Sequence, residues 1–208
     1  MGDMELAKHL IQEAQKGGGD LVKFQLYDHN KLYKDHPEIP NVELSFANAE
    51  LLFNHGREVG VEVFFSVFDT ERVKWCEEIG VKRYKIGTLR KDEKVIKAVW
   101  DTMKPVIISV FNSAPPLKYN ARTSYLYCVP DYPATIKRLS KIQFREYDGF
   151  SDHTIGLDCA RIALARGAKI LEKHFTLDHK TGIDGAWSMT PEELHELKRF
   201  ETVVREVL

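Results

Sequence analysis

The sequence predicts an α/β fold: an incomplete TIM-type (β/α) barrel with seven recognisable parallel strands in a single domain, residues 1–208. One phrase recurs along the chain, in which an amphipathic helix is followed by a glycine and then by a short β-branched or aromatic run. It occurs at 15–25, 57–65, 77–86 and 165–175 (QKGGGDLVKFQ, REVGVEVFF, EEIGVKRYKI and ARGAKILEKHF). Glycine ends a helix at low steric cost because it readily adopts the left-handed conformation. Each phrase therefore predicts one step from a helix to a strand.

The predicted strands recur at the period of a barrel. After the first gap they begin about every 20–24 residues, close to one β/α unit of an eight-fold barrel of roughly 250 residues. Continuous rather than alternating apolar runs indicate a parallel sheet that is covered on both faces. The strands are predicted at Val22–Leu26, Val63–Ser66, Arg83–Ile86, Val106–Val110, Tyr125–Val129, Gly149–His153 and Ile170–Phe175.

Helix signals lie between these strands. Leu6, Leu10 and Ala14 recur at helical spacing and predict an apolar stripe on the first helix. The last helix opens with Thr190-Pro191-Glu192-Glu193, a capping box with proline at the first helical position. The proline-rich passage Asn112–Ser124 is too short and too broken for a crossover helix. The helix expected at that place in a barrel is therefore reduced to a loop.

Composition and charge exclude several function classes. The 30 basic and 31 acidic residues leave a net charge of −1, which argues against a general nucleic-acid binder. The cysteines Cys76, Cys128 and Cys159 are odd in number and far apart, so they indicate a reducing compartment. The chain contains no apolar run long enough to span a membrane and no apolar core of a signal peptide at its N-terminus. The sequence thus predicts a cytoplasmic protein that acts neither on nucleic acid nor in a membrane.

Polar side chains mark the ends of the predicted strands, where barrel enzymes carry their reactive groups. Several lie two residues apart within one strand and therefore share a face. They are Lys23 and Gln25, Ser66, Lys85 with Thr88 shortly after it, Ser109, Ser151 and His153, and Glu172 and His174. A lysine in an apolar strand is costly to desolvate unless it meets an anion. Two imidazoles on neighbouring strands are suitable ligands for a divalent transition metal.

Each of these residues also has an ordinary structural interpretation. A strand-end lysine can extend to water along an apolar surface. A lone histidine can be a hydrogen-bonded packing residue, and Glu172-Lys173-His174 can be a solvated strand end. Trp187, beside Asp184 in a loop, is left open. The occurrence of all these side chains at one rim favours a site for a small, highly charged ligand together with a metal.

At these residues the sequence resembles the sialic acid synthase family, of the N-acetylneuraminate synthase and spore-coat polysaccharide synthase type. The resemblance covers nearly the whole chain. Its most specific segments are GFSDHTIG (149–156) and ILEKHFTLD (170–178). The segments KFQ (23–25), FFSVFD (64–69), YKIGT (84–88), KPVIIS (104–109), Cys128–Pro133 and DGAWS (184–188) follow in the family's order.

The resemblance implies a reaction and a set of residue roles. Family members are barrels that condense phosphoenolpyruvate with an N-acyl mannosamine-type sugar, release phosphate and form a nine-carbon 2-keto acid. By resemblance, Lys23, Ser66, Lys85, Thr88, Ser109 and Ser151 bind phosphoenolpyruvate, and Gln25, Tyr132, Glu172 and Asp184 face the amino-sugar acceptor or the reacting centre. His153 and His174 hold the divalent metal, typically Mn²⁺, with Mg²⁺ or Co²⁺ as alternatives.

The sequence also departs from the family pattern. The family's first strand, with its glutamate, and its C-terminal antifreeze-like domain have no counterpart here. Pro130 stands for an asparagine, Ser66 for a threonine and Gly185 for a histidine. Two function classes therefore stay open. One is a minimal synthase, and the other is a non-catalytic or partner-dependent barrel that retains anion and metal binding.

Without the family's first strand, the edges of the strands at Val22–Leu26 and Ile170–Phe175 expose unpaired backbone groups, which can template another chain. The two edges can pair directly, the gap can stay open and wet, or a second subunit can cover it. We expect the last of these, a homodimer whose interface lies near the open edge.

Overall fold

The structure is a computed structural model, and it describes residues 3–88, 92–111, 121–139, 144 and 146–207. Seven parallel strands follow one another in the sheet in the order in which they occur along the chain. This topology confirms the predicted incomplete (β/α) barrel. The chain forms two compact units, Met1–Gln15 with Asp20–Val106 and Lys16–Gly19 with Ile107–Leu208, which are described in turn.

The first unit alternates helices with three strands. Its elements are α1 (Met4–Lys16), β1 (Leu21–Leu26), α2 (His29–Leu32), α3 (Phe46–Val59), β2 (Glu62–Val67), α4 (Thr70–Ile79), β3 (Tyr84–Ile86) and α5 (Glu93–Asp101). Polar side chains cap the N-termini of these helices. At the start of α4, for example, Asp69 accepts a hydrogen bond of 2.9 Å from the backbone N–H of Arg72. The predicted glycine stops are confirmed by positive φ angles at Gly60 and Gly80 here, and at Gly18 and Gly167 in the second unit. The core of this unit therefore lies between the apolar strands and the helices that the sequence pattern predicted.

The second unit contains the remaining strands. Its elements are β4 (Val106–Val110), β5 (Thr123–Cys128), a 3-10 turn (Ile136–Leu139), β6 (Gly149–Asp152), α6 (Asp158–Ala165), β7 (Ile170–Lys173), a second 3-10 turn (Gly185–Trp187) and α7 (Pro191–Val207). The capping box is confirmed: the backbone N–H of Thr190 donates to Glu193 Oε2 at 2.9 Å, and the N–H of Glu193 donates to Thr190 Oγ1 at 3.4 Å. Among the described residues, no helix combines the length and apolar composition that a membrane crossing requires.

Close packing explains why β6 begins with glycine. A Cβ added at Gly149 would lie 1.8 Å from the carbonyl oxygen of Ile170 on the neighbouring strand, a distance that no side chain tolerates. The core behind this strand consists of small and aromatic side chains, including Phe150, Cys159 and Ala163. The glycine thus allows β6 to approach β7 closely, and this approach determines the spacing of the residues at the ends of both strands.

The predicted strand bounds are correct for β4 and shifted for the others. The prediction was wrong in placing His153 and His174 inside strands, since β6 ends at Asp152 and β7 ends at Lys173. The reason is backbone pairing with loops: the carbonyl of His153 accepts from the N–H of Ala134 at 2.9 Å, and that of His174 accepts from Met189 at 2.8 Å. Both histidines therefore lie immediately after their strands.

The expected loop at Asn112–Ser124 is only partly described. Residues 112–120 lie outside the described residues. The strand β5 already begins at Thr123, two residues before the predicted start at Tyr125. The pattern underestimated this strand because Thr123 and Ser124 are polar, although Thr123 is buried.

Candidate active site

In the first unit, three predicted ligand-binding residues lie at one level of neighbouring strands. Gln25 of β1 pairs with Ser66 of β2, and Ser66 pairs with Lys85 of β3. Lys23 lies two residues before Gln25 and therefore on the same face of β1. The structure thus brings these four side chains to one face near the carboxyl ends of β1, β2 and β3, as the sequence predicted.

The burial of these residues is typical of a site for a small anion. Ser66 and Lys85 are buried, and Lys85 Nζ donates a hydrogen bond of 3.1 Å to the carbonyl of Ile86. Thr88 follows β3 in a bend, and its buried hydroxyl has no hydrogen-bond partner among the described residues. A buried hydroxyl without a partner is costly, and a ligand that accepts hydrogen bonds would relieve it. The neighbouring buried ammonium of Lys85 suits a ligand that also carries negative charge.

In the second unit, the strand register brings a further set of predicted residues together. Ser151 of β6 pairs with Cys128 of β5 on one side and with Glu172 of β7 on the other. Ser151 is buried, as is Ser109 in β4. His153 and His174 follow Ser151 and Glu172 by two residues, so the two imidazoles come after the ends of adjacent strands.

The imidazole of His153 is held in one tautomer. Its Nδ1 lies 2.8 Å from the carbonyl oxygen of Val129, and a carbonyl can only accept. Nδ1 therefore carries the proton, and Nε2 keeps a lone pair. Burial lowers the pKa of His153 from 6.5 to about 4, an effect that the hydrogen bond to Val129 and the nearby Glu172 carboxylate oppose. The ring is thus neutral at pH 7, which is the form that binds a metal.

The imidazole of His174 has a comparable orientation. Its Nδ1 lies 3.1 Å from Oδ2 of Asp184, a predicted site residue in the loop after β7. The two imidazole centroids are 5.4 Å apart with an interplanar angle of 60°. Contacts of this kind, from one ring nitrogen to a backbone carbonyl or a carboxylate, accompany most metal-binding histidines.

Aromatic rings surround the two histidines. The ring of Tyr132, a predicted site residue, is 4.2 Å from that of His153 and 6.1 Å from that of His174. Trp187 lies 6.1 Å from Tyr132 and 6.5 Å from His174, centroid to centroid. Its indole Nε1 is buried and has no hydrogen-bond partner among the described residues. Trp187, which the sequence left open, is therefore part of the site.

The sequence did not identify a buried ion pair behind the histidines. Lys173 Nζ lies 3.0 Å from Asp152 Oδ2, and their side chains are 1% and 0% exposed. The interpretation of Glu172-Lys173-His174 as a solvated strand end is therefore wrong for Lys173. The sequence pattern could have revealed this pair. In Ser-Asp-His and Glu-Lys-His the middle residue points to the opposite face of the sheet from its two neighbours. Asp152 and Lys173 are these middle residues on adjacent strands, and they carry opposite charges.

The donor set of the second unit fits a divalent transition metal. Nδ1 of His153 faces a carbonyl and Nδ1 of His174 faces Asp184, so the second nitrogen of each ring is the one that can face a metal. A metal that takes two protein nitrogens completes its shell with water or ligand oxygens. Within the described ranges, no group of three or more His, Cys, Asp and Glu side chains is arranged so that it could hold a metal ion by itself.

Comparison with known proteins gives a consistent family assignment. The NeuB family matches residues 10–208. An uncharacterized protein of Methanocaldococcus jannaschii is 30% identical over 232 residues, which cover 100% of this chain and 68% of that protein. N,N'-diacetyllegionaminic acid synthase of Legionella pneumophila is 28% identical over 238 residues, 94% of this chain and 67% of that enzyme.

Solved structures agree with this assignment. N-acetylneuraminic acid (sialic acid) synthetase from Leptospira borgpetersenii, in complex with citrate, superposes with a TM-score of 0.86 at 26% identity, over 99% of this chain and 80% of that chain. A truncated 3-deoxy-D-arabino-heptulosonate 7-phosphate synthase from Thermotoga maritima, 13% identical with a TM-score of 0.71 over 99% of this chain and 83% of that chain, shares the fold. The resemblance drawn from the sequence motifs is thereby confirmed, and the chain belongs to the NeuB family of sialic acid synthase-type enzymes.

Proposed function

We propose that this chain condenses phosphoenolpyruvate with an N-acyl mannosamine-type sugar to form a nonulosonic acid, with the assistance of a divalent metal. We propose Mn²⁺ as this metal, with Mg²⁺ or Co²⁺ as alternatives. The observation that carries the proposal is the pair of imidazoles of His153 and His174. Each has its Nδ1 engaged and its Nε2 available, and they lie beside Ser151 and Glu172 at the ends of adjacent strands.

Recognition of phosphoenolpyruvate needs cations and hydroxyls, since the ligand carries a phosphate and a carboxylate. Lys23, Lys85, Ser66 and Thr88 of the first unit supply them, with the buried Lys85 as the main charge. Lysine serves as a point charge for phosphate, and the hydroxyls donate hydrogen bonds to its oxygens. Ser109 and Ser151 of the second unit stay predictions for the same ligand.

The reaction forms one carbon–carbon bond and releases one phosphate. C3 of phosphoenolpyruvate attacks the aldehyde carbon of the sugar, whose oxygen takes up a proton and becomes a hydroxyl. One water molecule is consumed as the phosphate ester is cleaved, so that phosphate leaves and C2 becomes the ketone carbon. A metal held by His153 and His174 would supply a Lewis acid for the aldehyde oxygen. Asp184 holds the imidazole of His174 through Nδ1. We propose that Glu172, half-buried near His153, holds or moves a proton at the reacting centre. Tyr132 and Gln25, both exposed, are proposed to contact the sugar.

A partner-dependent barrel is the second candidate, and strand exposure favours it. All four residues of β7 are partly exposed, Lys173 through its backbone since its side chain is buried. β1 has one buried residue among six, whereas five of the six residues of β2 are buried. An exposed edge strand carries unpaired backbone N–H and C=O groups, with which another chain can pair. We propose that a second copy of the chain covers them. Light scattering at tens of micromolar tests the homodimer, and a monomer there would contradict it.

The three cysteines support a cytoplasmic location. Cys76, Cys128 and Cys159, which all lie within the described residues, are buried and form no disulfide. Thiols stay reduced where the compartment is reducing. We propose the cytoplasm on this ground.

Phosphate release from phosphoenolpyruvate, measured with Mn²⁺ and a panel of N-acyl hexosamines, tests the proposed synthase. We expect the rate of phosphate release to depend on both the sugar and the metal. Replacing either His153 or His174 should lower this rate at least 100-fold. A chain that binds Mn²⁺ and phosphoenolpyruvate by calorimetry, yet releases no phosphate with any acceptor, would favour the non-catalytic alternative.

A further inference from the structure

We infer that the buried Asp152–Lys173 ion pair positions the imidazoles of His153 and His174, and thereby sets the metal affinity of the site. The metal part of this inference rests on the proposed function. Neither residue touches the reacting atoms, so both are positioning residues. Their place in the fold suits this role, because each directly precedes one of the two histidines.

The ion pair connects two adjacent strands at their last residues. Asp152 ends β6, Lys173 ends β7, and the two residues are register partners. Their side chains lie on the face of the sheet opposite to Ser151 and Glu172. A link at this point fixes the relative position of the two strand ends from which the histidines project.

The same two side chains also hold the residue that follows His153. Asp152 Oδ1 accepts hydrogen bonds of 2.8 Å from both the N–H and the hydroxyl of Thr154. Lys173 Nζ donates to the carbonyl of Thr154 at 2.7 Å. The peptide groups on both sides of Thr154 are thus held by one ion pair, and the backbone of His153 lies between this contact and the strand.

The imidazole of His153 depends on that backbone. Its Nδ1 bond to Val129 and its carbonyl bond to Ala134 both connect it to the segment after β5. If the turn at Thr154 relaxed, His153 would have to rotate to keep either bond. We therefore expect that loss of the ion pair weakens the hydrogen bond from Nδ1 of His153 while the protein is still folded.

Stability alone does not account for this pair. Two charges that are 99% and 100% buried are expensive to desolvate, and apolar side chains of similar volume often replace such a pair at no cost in stability. Removing both charges together therefore separates two roles. If the pair positions the histidines, the geometry at His153 changes; if the pair only stabilises the fold, that geometry stays as it is.

The test compares three variants with the wild type in metal-free buffer and then with Mn²⁺. D152N/K173M removes both charges, while the D152N amide keeps an oxygen that can accept from Thr154. K173R keeps a cation opposite Asp152 but changes the geometry of its donors, and it serves if the double variant does not fold. The matched control is E62Q/R83M, which removes the bidentate ion pair of 2.6 and 3.1 Å between Glu62 of β2 and Arg83, the residue before β3.

Two readouts separate positioning from stability. The first is the imidazole Nδ1–H of His153 in metal-free, ¹⁵N-histidine-labelled protein, observed by NMR together with its exchange rate with water. The second is the Kd for Mn²⁺ by calorimetry. In D152N/K173M we expect exchange at least tenfold faster and a Kd at least tenfold higher, the size found for outer-shell partners of metal ligands. The control is expected to lose stability and to change neither readout.

A folded D152N/K173M variant with wild-type exchange and wild-type Kd would overturn the inference. A wild type that binds no Mn²⁺ would instead refute the metal part of the proposed function. In that case the exchange rate of the His153 proton still decides whether the ion pair positions the ring. The failure of one claim is thus distinguishable from the failure of the other.

Discussion

Acid should destabilise the metal-free protein through His153 in particular. Burial holds the pKa of this imidazole at about 4 in the folded chain, against 6.5 for an ordinary histidine. Between these two values the unfolded chain binds a proton that the folded chain does not. Lowering the pH through this window therefore favours unfolding, and below about pH 4 the effect is complete.

The size of the effect follows from the two pKa values. Each unit of pKa difference corresponds to about 1.4 kcal/mol, so the full contribution is roughly 3 kcal/mol, of which about 2 kcal/mol is lost between pH 7 and pH 5. Other groups titrate as well, so the contribution of His153 is obtained from a variant that cannot titrate. H153N suits this purpose because the asparagine amide can still donate to the carbonyl of Val129.

The assay is urea unfolding at pH 7 and pH 5, in chelator, for the wild type, H153N and H195N. His195 is exposed on α7, so H195N controls for the loss of an ordinary histidine. We expect the wild type and H195N to lose about 2 kcal/mol more than H153N between the two pH values. Equal pH dependence in all three proteins would refute the buried, neutral imidazole.

Three further predictions concern the ligand site. K85M should weaken phosphoenolpyruvate binding by calorimetry at least tenfold, because it removes the buried cation that faces the ligand. The exposed K82M is its control, and equal affinity in both variants would contradict the role of Lys85. W187F keeps an aromatic ring but removes the indole N–H, which has no partner among the described residues. We expect KM for the sugar to rise several-fold while kcat stays within about twofold of the wild type, and an unchanged KM would exclude a contact with the sugar. E172Q should lower kcat at least 100-fold with the Kd for Mn²⁺ within about threefold, and near-normal turnover would exclude Glu172 from proton transfer.

Local patterns were sufficient for much of the fold. The glycine stops, the capping box at Thr190 and the uninterrupted apolar run Val106–Val110 each depend on residues near in sequence, and the structure agrees with all three. The alternation of side chains also predicted correctly that Gln25 and Lys23 share a face.

Long-range contacts explain what the sequence could not predict. The end of β6 depends on a backbone bond from Ala134 to His153, 19 positions apart, which no local pattern encodes. The burial of Lys173 depends on Asp152, 21 positions away, and on the packing that excludes water from both. Strand alternation gives the face of a side chain but not its depth, and this difference separates an ion pair in the core from a solvated strand end.

The most direct test of the proposed function follows the new carbon–carbon bond itself. Phosphoenolpyruvate labelled with ¹³C at C3 is incubated with the protein, Mn²⁺ and N-acyl mannosamine-type sugars, and the products are examined by NMR and mass spectrometry. We expect a nine-carbon 2-keto acid in which the labelled carbon is a methylene bonded to the former aldehyde carbon of the sugar. Label that stays in phosphoenolpyruvate or appears only in pyruvate, in a protein shown by calorimetry to bind both Mn²⁺ and phosphoenolpyruvate, would contradict the proposed function.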